Sequence, residues 1–230
     1  MAAFVDGLAA GPAALLVEGE AGIGKTTVWR AAVAAARQRG CRVAAATAVD
    51  DEVDLAFGVL RDLLEAIPAE SGDALPPVQR EALDIALLRS VHLATAADPH
   101  AVSAAVLGVV RTVAASTPLV VAVDDAGWLD RSSERVLRYV VRRLTDEPVG
   151  ILAARRPDAG HQLPLGLDRP PVRDRLRRLE LGPLDAGALH TLLFEQTGLV
   201  LPRRIIRQIY RVCGGNPLYA LEMARAVCRR

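Results

Sequence analysis

The chain has 230 residues and a formal net charge of +1, with half of the residues hydrophobic and only 3% aromatic. That length allows one large or two small domains, and a core of Ala, Leu and Val suits helices packed on a parallel sheet. The balanced charge excludes a strong overall pull toward nucleic acid or an anionic membrane, and the cysteines Cys41, Cys213 and Cys228 form neither a CxxC pair nor a metal-ligand spacing with His92, His100, His161 or His190.

Those scattered thiols read as small buried hydrophobes in a reducing cytosol. Residues 1–6 contain an early acid and no basic stretch, which predicts no secretory leader and a cytoplasmic protein. Residues 4–12 read as the tail of a helix and a turn, broken at Gly11-Pro12. Residues 13–17 are an apolar run short enough for a buried parallel strand. Directly after it comes Gly19-Glu20-Ala21-Gly22-Ile23-Gly24-Lys25-Thr26-Thr27, which fits G-x-x-x-x-G-K-[ST] through Gly19, Gly24, Lys25 and Thr26. An Ala-rich helix follows over residues 26–37.

Strand, glycine loop and helix together point to phosphate binding. Glycines let several N–H groups converge on one anion, and the helix adds its positive end to the same spot. Lys25 is placed to reach the β- and γ-phosphates of ATP, and the Thr26 hydroxyl to ligate Mg²⁺. Lys25 is the only lysine among 28 basic residues. A chain that uses arginine everywhere else points to a need for a compact ammonium there.

A second strand is predicted over residues 41–47. The acidic loop Asp50-Asp51-Glu52-Val53-Asp54 matches no calcium-loop spacing and reads as a solvated turn ahead of a helix over 55–67. A polar connector (68–77), a helix over 79–88, a break at 96–100 and a helix over 101–115 complete a long insertion between the second and third strands. The apolar stretch 101–123 has the length of a membrane span, but Arg111 in its middle and Pro118 predict a helix followed by a strand instead. No membrane contact is expected.

The third strand, 119–123, ends in Asp124-Asp125. An apolar strand that delivers a carboxylate to its C-terminal end reads as a Walker B element, because the ligand site of an open α/β sheet lies at that edge. Asp124 is assigned to Mg²⁺ opposite Thr26, and Asp125 to orienting or deprotonating a water aimed at the γ-phosphate. Trp128 reads as a packing residue, and Asp130 as the cap of a helix over 132–144. The fourth strand, 149–154, runs into Arg155-Arg156-Pro157, where either arginine can approach the γ-phosphate; successive side chains leave opposite faces of a strand, so the choice stays open. A Pro/Gly-rich loop (157–171), an interleaved basic stretch (173–178) and a fifth strand (176–181) follow. From Pro183 on, helices are predicted at 185–196, 202–212 and 218–227. Arg203, Arg207 and Arg211 make a basic stripe on the second of them, read as a solvated face.

The fold class is therefore a P-loop NTPase three-layer α/β sandwich with a five-stranded, mostly parallel sheet and a small C-terminal helical lid. The expected division is residues 1–182 for the α/β domain, with its helical insertion at about 55–116, and residues 183–230 for the lid.

The loop motif, Val123-Asp-Asp-Ala-Gly-Trp-Leu-Asp130, Arg155-Arg-Pro157 and Gly214-Gly-Asn-Pro-Leu218 together resemble the ATPase domain of the large LuxR-type, MalT-like transcriptional regulators, a branch of the STAND ATPases related to AAA+ proteins. The resemblance implies that Asp124 and Asp125 are the Walker B pair and that Arg155 or Arg156 is the first sensor. It also implies that Asn216 and Pro217 start a lid helix close to the adenine. It further implies an ATP/ADP switch that forms a homo-oligomer in the ATP state and acts on DNA through a helix-turn-helix that this chain lacks. No Val-Gly-Arg-Glu-like segment precedes the first strand, and the chain is read as a fragment, a truncated product or a stand-alone remnant. A nucleotide-binding interaction module with little or no hydrolysis is the alternative, since Asp125 stands where a Glu is commoner. A P-loop kinase lacks a recognisable acceptor site.

Overall fold

A computed structural model describes residues 2–89, 98–157, 162–198 and 200–228. Of the positions singled out above, His92, Ala96, Ala97, His161 and part of the 157–171 loop lie outside the described residues.

Five strands form one sheet: β1 (Ala13–Gly19), β2 (Arg42–Thr47), β3 (Leu119–Asp124), β4 (Val149–Arg155) and β5 (Leu176–Leu181). Their order is β2-β3-β4-β1-β5, and every neighbouring pair is parallel rather than mostly so. The two-residue alternation of a strand divides the core in two. Ala14, Leu16, Val121, Val123, Ile151 and Ala153 face one layer of helices, whereas Leu15, Val17, Val120, Ala122, Leu152 and Ala154 face the other.

The second face is covered by α1 (Ala2–Val5) and α2 (Lys25–Gln38), the Ala-rich helix that leaves the glycine loop. The first face is covered by α3 (Gly58–Glu65), α4 (Pro77–Ala86), α5 (Pro99–Ser116) and α6 (Arg131–Val141). This is a P-loop NTPase-like α/β fold. The helix α5 is long and apolar enough to cross a membrane by length and composition, yet 56% of that window is buried against the rest of the protein. Asp98 starts it by accepting from the amides of His100 and Ala101, at 3.1 and 3.3 Å.

The first helix of the insertion departs from its periodicity. Residues 55–67 carry a helical pattern, but α3 begins only at Gly58, after Phe57 in the left-handed region at φ 62°. The cause is tertiary. The buried carboxylate of Asp130 accepts from the amides of Phe57 (3.0 Å) and Val59 (3.3 Å), and the Ser133 hydroxyl accepts from Leu60 (2.9 Å). Asp130 also caps its own helix through the Ser133 amide at 2.8 Å. Trp128, expected to pack, is 40% exposed.

The C-terminal region is helical: α7 (Ala186–Thr197), α8 (Arg203–Cys213) and α9 (Pro217–Cys228). These three share an apolar cluster of their own, built on Leu189, Leu193, Ile209, Ala220 and Ala224.

Candidate nucleotide site

The glycine loop leaves β1 at the C-terminal edge of the sheet and enters α2 at Lys25. Gly24 is the N-cap at φ 104° and has no side-chain cap; the first intrahelical bond runs from the Val28 amide to the Gly24 carbonyl at 3.1 Å. The amides of Lys25, Thr26 and Thr27 therefore have no partner within the helix, and they join its positive end at one point. Gly22 sits at φ 76°, and a Cβ there would meet Asn216 Oδ1 and Leu218 Cβ at 2.8 Å each. That close approach requires glycine. Ile23 is buried beneath the turn, and Glu20 is exposed.

Lys25 is 6% exposed, and its Nζ donates to the Glu20 carbonyl at 2.8 Å. Burial pushes its ammonium below the usual lysine range; Asp125 opposes that shift, Arg156 adds to it and Asp124 opposes it. Asp124, at the end of β3, is 1% exposed and lies beside the Thr26 side chain. Burial raises its carboxyl above the ordinary aspartate range, Thr26 counteracts this and Asp125 adds to it. Asp125 follows at φ 47°, its amide donating to Asp124 Oδ1 at 3.0 Å. The loop-to-helix junction and the end of β3 thus bring Lys25, Thr26, Asp124 and Asp125 together, although about 100 residues separate the two segments.

A cleft of about 400 Å³ opens in front of these groups. Its floor includes Gly22, Gly24, Lys25, Thr26, Thr27 and Asp125, and Arg156 stands at its wall. The opposite wall comes from the C-terminal helices, with Leu192 and Gln196 of α7 and Pro217, Leu218 and Leu221 of α9. The volume lies within the range of small-molecule sites, and the mix of a polar floor with an apolar wall suits a ligand with a charged end and a flat apolar end.

The two arginines after β4 part company. Arg155 is in register with Glu18 of β1, and its guanidinium holds that carboxylate at 2.8–2.9 Å; both side chains are nearly buried. Arg155 also donates to the Gln162 carbonyl at 3.2 Å. Arg178 lies 4.0 Å from the other Glu18 oxygen. Arg155 is thus occupied with Glu18, and Arg156 lines the cleft.

Asn216 is 7% exposed and ties the C-terminal helices to the loop. Its Nδ2 donates to the Ala21 carbonyl at 2.8 Å, while its Oδ1 accepts from the amides of Leu218 (3.1 Å) and Tyr219 (3.4 Å). A parallel main-chain bond joins the Leu218 amide to the Gly22 carbonyl at 3.2 Å. Sequence reasoning placed Asn216 at a helix start but missed this bond across 195 residues. It also missed Glu18, Leu192 and Gln196. The one available signal was Glu18 itself, a charge that ends a strand as buried as β1.

For magnesium, the oxygen donors Thr26 and Asp124 are the right chemistry and already adjoin. No cluster of three or more His, Cys, Asp or Glu occurs among the described residues. A two-donor protein contribution fits a cation that keeps most of its shell as water and phosphate oxygen.

Among known proteins, the profile of a family described as AAA ATPase domain matches residues 1–152. No curated protein sequence matches the chain. A signal transduction ATPase with numerous domains (STAND) from Pyrococcus horikoshii, which carries a tetratricopeptide-repeat sensor, aligns structurally with a TM-score of 0.47 and 16% identity, over 93% of this chain and 27% of its own. The Drosophila ORC structure bound to DNA aligns at a TM-score of 0.47 and 19% identity, over 94% of this chain and 46% of its own. The chain therefore spans about a quarter to a half of the length of these two.

Proposed function

We propose that this chain, which belongs to the AAA ATPase domain family, is the ATP-binding and slowly hydrolysing switch domain of a LuxR-type signal-transduction ATPase. The observation that carries the reading is the convergence of Lys25, Thr26, Asp125 and Arg156 on one cleft beside the C-terminal helices, with the buried Asp124 next to Thr26 and Asp125. Residues 1–182 form the nucleotide domain in this reading, and residues 183–230 the lid.

The unpartnered amides of Lys25, Thr26 and Thr27 hold the phosphates, and the Lys25 ammonium leaves the Glu20 carbonyl to bridge them. Thr26 and Asp124 would hold Mg²⁺, which supplies charge neutralisation at the phosphate oxygens when bound. Asp125 orients a water and takes its proton as the water attacks the γ-phosphate in line. Arg156 is the sensor arginine, because it lines the cleft while Arg155 is held by Glu18. Catalysis of this kind is mostly positioning and electrostatics. Pro217, Leu218 and Leu192 offer the base an apolar wall, with Gln196 as the polar group beside it. Release of the γ-phosphate changes what holds the lid, and the triphosphate state favours assembly with further copies.

The test is single-turnover phosphate release from ATP with magnesium, with Lys25→Ala as the control. The wild type is expected to bind ATP and release phosphate slowly, and the variant to do neither. Binding without release above the control would leave a nucleotide-binding interaction module; no binding by the wild type would sink the reading altogether.

A further inference from the structure

The helical insertion encloses a cavity of about 300 Å³ that shares none of the described residues lining the nucleotide cleft. Leu64 closes it from α3, Leu83 and Leu87 from α4 and its end, and Val109 from α5, all of them buried. The remaining wall is the connector between α3 and α4, which includes the 3₁₀ turn Ala69–Gly72. That connector is pinned at two points. Leu75 lies so close to α5 that a Cβ on Gly108 would meet its Cδ2 at 2.6 Å, and the Arg80 guanidinium of α4 donates to the Asp73 carbonyl. The space is therefore walled by fixed elements on every side that packs against it.

Its mouth carries both signs of charge. Asp73, Arg80, Asp84 and Arg89 line it, and none of the four forms a salt bridge among the described residues. Arg80 and Asp84 stand four residues apart on α4, the spacing at which opposite charges commonly pair on a helix. Arg80 turns to the Asp73 carbonyl instead. A hydrocarbon would fill the interior and leave these charges unmet. A plain carboxylate would suit the arginines and set its charge near two aspartates, and an amine would do the reverse. A zwitterion with an aliphatic body meets both signs, with the fork of an arginine on its carboxylate. Size agrees: an engineered apolar cavity of about 150 Å³ holds benzene, so twice that volume takes roughly a dozen heavy atoms, against about nine in leucine.

We propose that this cavity binds a small aliphatic zwitterion, a free amino acid such as leucine or isoleucine. Its carboxylate meets Arg80 and Arg89, its ammonium meets Asp73 and Asp84, and its side chain lies among Leu64, Leu83 and Val109. The site is separate from the nucleotide cleft, but α3 joins the two. Its C-terminal end carries Leu64 into the cavity, while the amides at its N-terminal end are held by Asp130 and Ser133, in the segment that leaves β3 through Asp125. A ligand that fixes α3 therefore acts on that segment, and the amino acid and ATP change each other's affinity by the same factor. This coupling rests on the nucleotide reading above; the cavity's ligand does not.

Calorimetric titration and thermal melts of the nucleotide-free full chain test the ligand. Leucine and isoleucine are the probes, with isocaproate (leucine without its ammonium) and isoamylamine (leucine without its carboxylate) as controls. Leucine is expected to bind saturably and raise the thermal midpoint, and each control to bind at least about tenfold more weakly, since each gives up a charge-assisted contact. Arg89→Glu, at an exposed position beyond the end of α4, is expected to fold as the wild type and to lose leucine affinity by about tenfold or more. No saturable binding of either amino acid overturns the proposal, as does a control that binds as tightly as leucine, or an Arg89→Glu variant with wild-type affinity. ATP titration with and without saturating leucine reads the coupling, expected at about 5-fold or more. Leucine binding that leaves ATP affinity unchanged overturns the coupling. Leucine binding by a wild-type protein that takes no ATP overturns the coupling and the nucleotide reading together, and leaves the cavity's assignment standing.

Discussion

Asn216 performs two jobs that substitution can separate. Its Oδ1 caps α9, and its Nδ2 holds the Ala21 carbonyl of the glycine loop. Asn216→Asp keeps the cap, because Asp and Asn serve equally there, but it loses the donor and sets a carboxylate oxygen against a carbonyl. Asn216→Ala loses both. The cap accounts for about 1 kcal/mol. A carbonyl left without a partner in a site this enclosed costs about 1–3 kcal/mol. With the bond attached to the loop that holds phosphate, that cost falls on the loop shape that nucleotide selects. At about 1.4 kcal/mol per tenfold, Asn216→Asp is expected to bind ATP roughly 5- to 100-fold more weakly, and Asn216→Ala at least as weakly. Equilibrium titration with a fluorescent ATP analogue reads the affinity, and hydrogen exchange reads the protection of the α9 amides. The Leu218–Gly22 main-chain bond remains in both variants and keeps α9 near the loop. An Asp variant with wild-type affinity and wild-type α9 protection would refute a side-chain link between loop and lid.

Arg156→Ala is expected to lose the preference for ATP over ADP with little change in urea midpoint. Arg155→Ala is expected to keep that preference and lose about 3 kcal/mol, because Glu18 then stays enclosed without its closest partner; paired titrations and urea melts check both. Burial holds the Asp124 carboxyl above its ordinary value of 3.8, so magnesium-dependent ATP binding, which needs the carboxylate, should fall on acidification at a higher pH than an ordinary aspartate dictates. Stability runs the other way: the contribution of Asp124 is full below 3.8 and is lost as pH rises through the raised folded value, and Asp124→Asn should flatten both profiles. Asp130→Ala leaves the amides of Phe57, Val59 and Ser133 without their acceptor. At about 1 kcal/mol each that is about 3 kcal/mol, or a thermal midpoint lower by roughly 6–12 °C for a chain of this size.

The elements that were legible in the sequence are those whose cause is local. Apolar runs of five or six residues ended by a turn marked β1, β3 and β4, and the glycine loop marked its own helix start, whereas β5 is half charged and carries no such run. The Asp98 cap could be anticipated in the same way, since Asp-Pro precedes an apolar helix and needs no partner from elsewhere. Periodicity failed at residues 55–57, where the pattern is helical but the backbone is not. The reason lies 73 residues away in Asp130 and Ser133, whose oxygens take the amides that would have begun the helix earlier. Asp130 was legible as a cap for α6 and illegible as a cap for α3, because only the first role is written in adjacent residues.

The pair Arg155-Arg156 shows the same limit at the site itself. Both follow an apolar strand at the ligand edge of the sheet, and alternation assigns them to opposite sides without saying which side holds the cleft. What decides is the strand order. With β4 beside β1, the register sets Arg155 against Glu18, and the last charged residue before the glycine loop becomes its fixed partner. Had β4 lain elsewhere, the buried Glu18 would have kept only the half-exposed Arg178, 4.0 Å away, as a partner. The acid at the end of β1 therefore demanded a cation on an adjacent strand, and Arg155 meets that demand from β4. Arg156, one residue on, is left free to face the cleft.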